Sequence, residues 1–287
     1  MSKIYKPFLK RVGWKRQLLD QFQPFIKGSF LDQNNKNCSY YEAFLWWWAV
    51  FFYLRNLYGC NFKAILGDIN EELINTYQVV KESPEKLIQE LSKYQYNKDF
   101  FLEIRSRDQK SDFSSLSPLL RAARFIYLNK TCFNGMYRVN GKGYFNVPFW
   151  KYANPLICDE ETLFNCSEAL QNTTLIHGDY HEVLKTAKKG DFIYLDPPYD
   201  VLSQTSNFTD YTQGGFWWKE QEELWKEFKN LTEKGCQAML SNHNTDRIQK
   251  LYSEFYQHVV QAKRYINSNA EKRGNVEEIV VLNYKVE

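Results

Sequence analysis

Short apolar runs alternating with apolar-periodic helical stretches predict an α/β chain on a mostly parallel, doubly wound sheet, interrupted by a helical insertion. Three observations carry this. Ala64-Ile65-Leu66 ends at Gly67-Asp68, and Asn70-Glu71-Glu72 then opens an apolar-periodic helix from Leu73 to Val80, the start of a βαβ unit. The run Phe192-Ile193-Tyr194-Leu195 reads as a strand buried on both faces and leads straight into Asp196-Pro197-Pro198-Tyr199. Between them, from about Glu71 to Asp159, the pattern changes to helices and a long loop.

The remaining elements fit this frame. Ser39 to Phe44 reads as a short strand, followed by a loop and a helix through about Leu57. Ser83-Pro84-Glu85 and Ser117-Pro118 each place a cap residue before Pro at a first helical position. Alternation resumes at Thr174-Leu175-Ile176, followed by His177-Gly178-Asp179, and again at Gln237 to Leu240, ending at Ser241-Asn242-His243. Arg264 to Asn267 and Glu278 to Tyr284 flank a polar loop and are expected to close the sheet as an antiparallel pair.

Composition narrows the function classes. The 287 residues carry 37 basic and 34 acidic side chains, a net charge of +3, too small to imply a polyanion partner by itself. The distribution is uneven. Between Ser117 and Tyr152 stand six basic residues (Arg121, Arg124, Lys130, Arg138, Lys142, Lys151), no acidic one and nine interleaved aromatics. That is the footprint of a nucleic-acid surface, with cations for phosphates and rings or amides for bases; the alternative is an ordinary solvated face. Cys38, Cys60, Cys132, Cys158, Cys166 and Cys236 lie far apart without a Cys-x-x-Cys pair, which predicts reduced thiols in a cytoplasmic protein, without disulfides or zinc. His177 and His181 lack further ligands, so no metal is expected. The most apolar stretch, Phe44 to Leu54, is eleven residues, short of the roughly 18 a membrane span needs. The first ten residues lack the apolar core of a signal peptide.

Asp196 to Tyr199 is the most informative segment. A strand ending in a stiff Pro-Pro turn accounts for the prolines but does not require Asp before them and Tyr after them. Chemistry does. An aromatic amine such as adenine N6 is a poor nucleophile because its lone pair is delocalised into the ring. Acceptors for its two N–H groups, here the Asp196 carboxylate and the Pro197 carbonyl, favour a pyramidal nitrogen with an available lone pair. Proline fixes φ and adds no competing donor, and the Tyr199 ring offers a face on which an extruded base can stack. Asp68 stands at a second strand tip, twenty residues beyond Trp48, close to the spacing at which an acid reaches the ribose hydroxyls of a nucleoside-bearing cofactor; the plainer reading is a helix cap.

These pieces, in this order, resemble the Dam-type DNA adenine-N6 methyltransferases. The likeness spans nearly the whole chain: Phe8-Leu9-Lys10 with Lys15, Glu42-Ala43-Phe44, Gly67-Asp68-Ile69-Asn70, Leu128-Asn129-Lys130 through Phe133-Asn134-Gly135, Arg138 with Asn140, Phe145-Asn146-Val147-Pro148-Phe149, Asp196 to Tyr199, Asn207-Phe208-Thr209, and Ser241-Asn242-His243. The resemblance implies a Rossmann-like class I methyltransferase fold that uses S-adenosylmethionine and acts on double-stranded DNA, with GATC suggested as the site. It implies a catalytic domain over 1–70 and 160–287 and an inserted target-recognition domain over 71–159. Arg11, Lys15, Glu42, Phe44, Asp68, Asp179 and Asp196 would contact the cofactor, with Asp179 toward its adenine, while Asp196, Pro197, Pro198 and Tyr199 hold the target adenine. Lys130, Phe133, Asn134, Arg138, Asn140 and Lys151 would contact DNA. Oligomeric state is left open.

The chain departs from the family where glycines are expected. Trp14, Trp46, Trp47, Trp48, Trp150 and Trp217 stand at such positions, six of the eight tryptophans. Taken literally, Trp14, Trp46, Trp47 and Trp48 would close the cofactor pocket and leave a DNA-binding relative without catalysis. A single substitution type repeated six times is not random decay; it fits UGA codons that some bacterial lineages read as Gly and other translation tables read as Trp. The 13 glycines fall below the usual share of about 7%, and six more would restore it. Sequencing the gene should find UGA at those six positions, and ordinary UGG codons would remove the idea.

Overall fold

A computed structural model of the chain describes residues 3–10, 15–26, 38–44, 49–200, 216–263 and 275–286. In chain order its helices and strands are α1 (Lys15–Phe22), β1 (Ser39–Glu42), α2 (Ala49–Tyr58), β2 (Lys63–Asp68), α3 (Glu71–Glu82), α4 (Pro84–Leu91), α5 (Lys98–Ser106), α6 (Pro118–Thr131), α7 (Glu160–Ala169), β3 (Thr173–His177), α8 (Tyr180–Leu184), β4 (Phe192–Leu195), α9 (Trp218–Glu233), β5 (Gln237–His243), α10 (Asp246–Leu251), β6 (Tyr256–Lys263) and β7 (Asn275–Leu282). The chain divides into two compact units.

The larger unit comprises Gly13–Phe51, Asn61–Ile69 and Asn172–Glu287. Among the described residues its strands form one seven-stranded sheet in the order β3-β2-β1-β4-β5-β7-β6. The first five are parallel, and β7 enters antiparallel between β5 and β6. This is the mostly parallel, doubly wound sheet that the sequence predicts. All four residues of β4 are buried because both faces are covered. Ile193 and Leu195 join a core with Leu224, Phe228 and Leu231 of α9, whereas Phe192 stacks near Tyr40 and Tyr194 meets Phe22. Gly67 permits the approach of α8 to β2, since a Cβ there would stand 2.2 Å from Val183 Cγ2.

Local signals place most boundaries. Asn70 caps α3 by accepting from Leu73 N, with Glu71 and Glu72 in the first turn. Ser117 caps α6 through Leu120 N, whereas Ser83 makes no side-chain cap bond, so one of the two expected Ser-Pro caps operates. The closing pair is corrected. The partner of β7 is β6 at Tyr256–Lys263, ahead of the expected 264–267, which lie outside the described residues. As an edge strand carrying Gln257, His258 and Gln261 among its apolar residues, β6 lacks the alternation that marks a half-buried strand.

The smaller unit comprises Met1–Val12, Phe52–Cys60 and Asn70–Gln171. It is wider than the insertion drawn from the sequence at 71–159. Phe8 packs on Tyr77 at 4.7 Å, the Cys166 thiol donates to Lys6 O at 3.0 Å, and Ser167 Oγ donates to Lys81 O at 2.9 Å. Its core gathers Phe101, Ile104, Tyr127, Leu128, Cys132, Phe145 and Val147. Arg124, buried, pairs with Asp108 at 2.7 Å and donates to the Ile104 and Arg105 carbonyls; Asp108 also accepts from Phe145 N. These bonds tie α5, α6 and the 138–146 loop together. Among the described residues no helix is long and apolar enough to cross a membrane.

Candidate active site

The sheet reverses its winding between β1 and β4, so the carboxyl ends of these strands border the topological switch point where α/β folds bind ligands. Register fixes what stands there. Glu42 pairs with Leu66 on one side and Tyr194 on the other, and Asp68 and Asp196 follow two residues beyond those partners. Three acidic side chains therefore end three adjacent parallel strands. Glu42 is 3% exposed, and Tyr40, on the same face, donates its hydroxyl to Glu42 Oε2 at 2.8 Å. Burial and that carboxylate hold the Tyr40 phenol well above its ordinary value, so it remains a donor. A buried acid flanked by two more can accept from the hydroxyls, and balance the charge, of a ligand with cationic and hydroxyl-bearing parts. Phe44 packs against Tyr180 at 5.5 Å and Phe216 at 5.9 Å beside this edge.

The 196–199 turn leaves β4 from the same edge. Ser241 Oγ donates to Asp196 Oδ1 at 3.0 Å and bonds the Tyr194 hydroxyl at 2.9 Å. Tyr199 is held at two points: its hydroxyl donates to Glu278 Oε2 at 2.7 Å, and its ring meets that of His243 edge-on at 4.8 Å. His243 and Glu278 are direct partners across β5 and β7, so strand register places both holds. Burial, and then the Asp196 and Glu278 carboxylates, keep the Tyr199 phenol well above its ordinary value and hence protonated.

In the smaller unit the residues expected to meet DNA gather around the end of α6 and the loop after it. Asn134 adopts φ 53°, a left-handed conformation uncommon outside glycine. Phe133 meets Trp150 at 4.6 Å. Arg138 donates to Asn146 Oδ1 at 2.7 Å, and Asn140 Oδ1 accepts from Lys142 N and Tyr144 N, shaping a tight turn between them. Arg138, Asn140 and Lys151 are exposed, while Lys130 is half-buried. Burial pulls the Lys130 ammonium down to about 8; Asp159 opposes this, and Lys10 and Lys6 add to it. Lys10 stands 3.3 Å over the Tyr152 ring and donates to Lys130 O.

Residues 12–266 match the family model for the D12 class N6 adenine-specific DNA methyltransferases. The chain belongs to this family. It is 40% identical over 283 residues to the Type II methyltransferase M1.LlaDCHI of Lactococcus lactis subsp. cremoris, covering 97% of this chain and 95% of that one. It is likewise 40% identical over 290 residues to the Type II methyltransferase M.MjaIII of Methanocaldococcus jannaschii (97% and 99%), and 32% identical over 278 residues to the DNA adenine methylase of Escherichia coli K12 (96% and 95%). The protein is an adenine-specific DNA methyltransferase, with S-adenosylmethionine as methyl donor.

Within this D12 methyltransferase the expected site residues fall into three groups. Glu42, Asp68 and Asp196, with Pro197, Pro198 and Tyr199, share the carboxyl edge of the sheet. Asp179 is used locally, capping α8 by accepting from Glu182 N, whereas Asp68, weighed as a cap, is not the cap of α3. Arg11, the side chain of Lys15, and Trp14, Trp46, Trp47, Trp48, Asn207, Phe208 and Thr209 lie outside the described residues. The basic stretch needs correction: Arg121 pairs with Glu71 and Glu72, and Arg124 with Asp108, so partners distant in sequence neutralise two of its six cations. Among the described residues no group of three or more His, Cys, Asp or Glu could hold a metal ion. Sequence reasoning missed Gln221, Ser241 and Glu278 as supports of the 196–199 turn. Gln221 had a signal, a carboxamide on the apolar stripe Leu224, Phe228, Leu231 of α9.

Proposed function

We propose that the Asp196–Tyr199 turn holds an adenine extruded from duplex DNA, with the Asp196 carboxylate and the Pro197 carbonyl accepting from N6 and the Tyr199 ring stacking on the base. The observation that carries this reading is the turn's place at the carboxyl end of β4, beside the switch point, with Ser241 donating to Asp196 and Glu278 fixing Tyr199. Ser241 directs one carboxylate oxygen and leaves the negative charge on Asp196, which polarises the amine toward a tetrahedral nitrogen. Glu42 and Asp68, with Lys15, Arg11 and Phe44, would hold S-adenosylmethionine, which when bound supplies a methyl group activated by its sulfonium. Asp179, exposed next to the end of β3, would face the cofactor's adenine.

Lys130, Phe133, Asn134, Arg138, Asn140 and Lys151 form the proposed DNA-facing set of the recognition unit, and GATC is the first duplex to test. Such a protein works where DNA is, in the cytoplasm. The fit of the acidic edge to the cofactor favours catalysis over the rival, a DNA-binding relative with a closed pocket.

In a protein restored to glycine at the six tryptophans, Asp196→Ala should abolish methyl transfer, by about a thousandfold or more, and leave duplex affinity within a few-fold; transfer retained in that variant refutes the assigned role. Lys130 gives a pH dependence. Phosphate contact requires its charged form, so as pH rises through about 8 binding must take up a proton. Duplex affinity should weaken by about fivefold between pH 8 and 9 relative to Lys130→Arg, which stays charged. Parallel pH profiles for the two proteins remove Lys130 from the contact set.

A further inference from the structure

We propose that Gln221 and Asn242 form a carboxamide clamp that sets the conformation of the catalytic turn, which makes Gln221 a positioning residue for methyl transfer; the inference rests on the reading of that turn as the adenine-holding element. With prolines at 197 and 198, the turn has no N–H donors of its own at these positions, so its carbonyls must be aimed by groups from elsewhere. Gln221 Nε2 donates to Pro198 O at 2.8 Å, fixing the peptide before Tyr199. Asn242 Oδ1 accepts from Asp200 N at 2.9 Å, fixing the peptide after it. The two carboxamides are joined, Asn242 Nδ2 donating to Gln221 Oε1 at 3.1 Å. Both peptide planes that determine where the Tyr199 ring lies are thus held by one connected pair.

The pair is dry and directional. Gln221 is 1% exposed and Asn242 fully buried, so water does not replace a lost bond. Each oxygen accepts and each nitrogen donates, so flipping either amide would oppose like groups. Asn242 Oδ1 also accepts from His243 N, and His243 Nδ1 bonds Asp200 O at 2.6 Å, which orients the imidazole that meets Tyr199. Thr245 Oγ1 donates to the Asp200 carboxylate at 2.9 Å and closes the network. At a core position of α9, packing alone would be served by an apolar side chain of similar volume; the amide has its use in the turn.

Two substitutions in the full chain test this. Gln221→Met keeps the volume and removes both bonds. Gln221→Glu is isosteric: protonated, it donates to Pro198 O and accepts from Asn242, while ionised, it sets a carboxylate against a carbonyl. Gln221→Met should lower kcat at least tenfold, leave affinity for duplex DNA and for S-adenosylmethionine within twofold, and speed hydrogen exchange of the Asp200 amide at least tenfold. The kcat of Gln221→Glu relative to the unsubstituted chain should rise with protonation of the introduced carboxyl, followed through its own titration in the same folded protein. A Gln221→Met protein with kcat and Asp200 exchange within twofold of the unsubstituted chain, or a Gln221→Glu ratio unchanged through that titration, overturns the clamp. Transfer by the unsubstituted chain with indifferent variants sinks the clamp alone. Absence of transfer by a chain restored to glycine at Trp14, Trp46, Trp47, Trp48, Trp150 and Trp217 sinks the reading of the turn, and the exchange measurement then still decides the clamp.

Discussion

Parallel pairing of β1 with both β2 and β4 is the constraint on which the rest of the molecule depends. Because evenly spaced parallel ladders hold neighbouring strands in fixed register, ending three strands in acid brings Glu42, Asp68 and Asp196 to one edge although they are far apart in sequence. The reversal of strand order between β1 and β4 opens that edge to a ligand. A register slip of one residue would turn each of these side chains to the opposite face, so the same hydrogen bonds that build the core also assemble the acidic edge.

The 196–199 turn draws on a second constraint. Two consecutive prolines give it fixed φ and free it of competing donors, but they also deprive it of the means to hold itself. The surrounding sheet supplies what is missing. Ser241 reaches Asp196, Glu278 and His243 reach Tyr199, and Gln221 reaches the Pro198 carbonyl. These supports come from rigid elements (β5, β7 and α9), which is how a site is kept to tolerances finer than a loop provides.

What the sequence discloses follows from how local each determinant is. The β4 run, the Gly67-Asp68 strand end and the Asn70 cap are local patterns, and they read through to the structure. Glu42 is different. A glutamate filling a buried strand position contradicts the usual burial rule, and only the family likeness points to it. Partners distant in sequence stayed hidden: Asp108 lies 16 residues before Arg124, and Glu71 lies 50 before Arg121, so a charge count over Ser117 to Tyr152 overstates the cations open to phosphate. The β6 edge was misplaced because a strand with polar residues on both faces gives no period to detect.

The smaller unit holds the proposed DNA-facing loop rigidly while leaving Arg138 and Asn140 exposed. Arg124 and Asp108 are spent on the interior, and through Phe145 N they tether the loop that carries Arg138 and Asn140. The central claim is that the acidic edge and the proline turn make a nitrogen-directed methyltransferase. Its most direct test is to incubate the purified chain with isotopically labelled S-adenosylmethionine and duplex DNA, then identify the modified nucleoside by mass spectrometry. The account predicts N6-methyl-2′-deoxyadenosine; labelled cytosine, or no label in DNA from a chain restored to glycine at the six tryptophans, would contradict it.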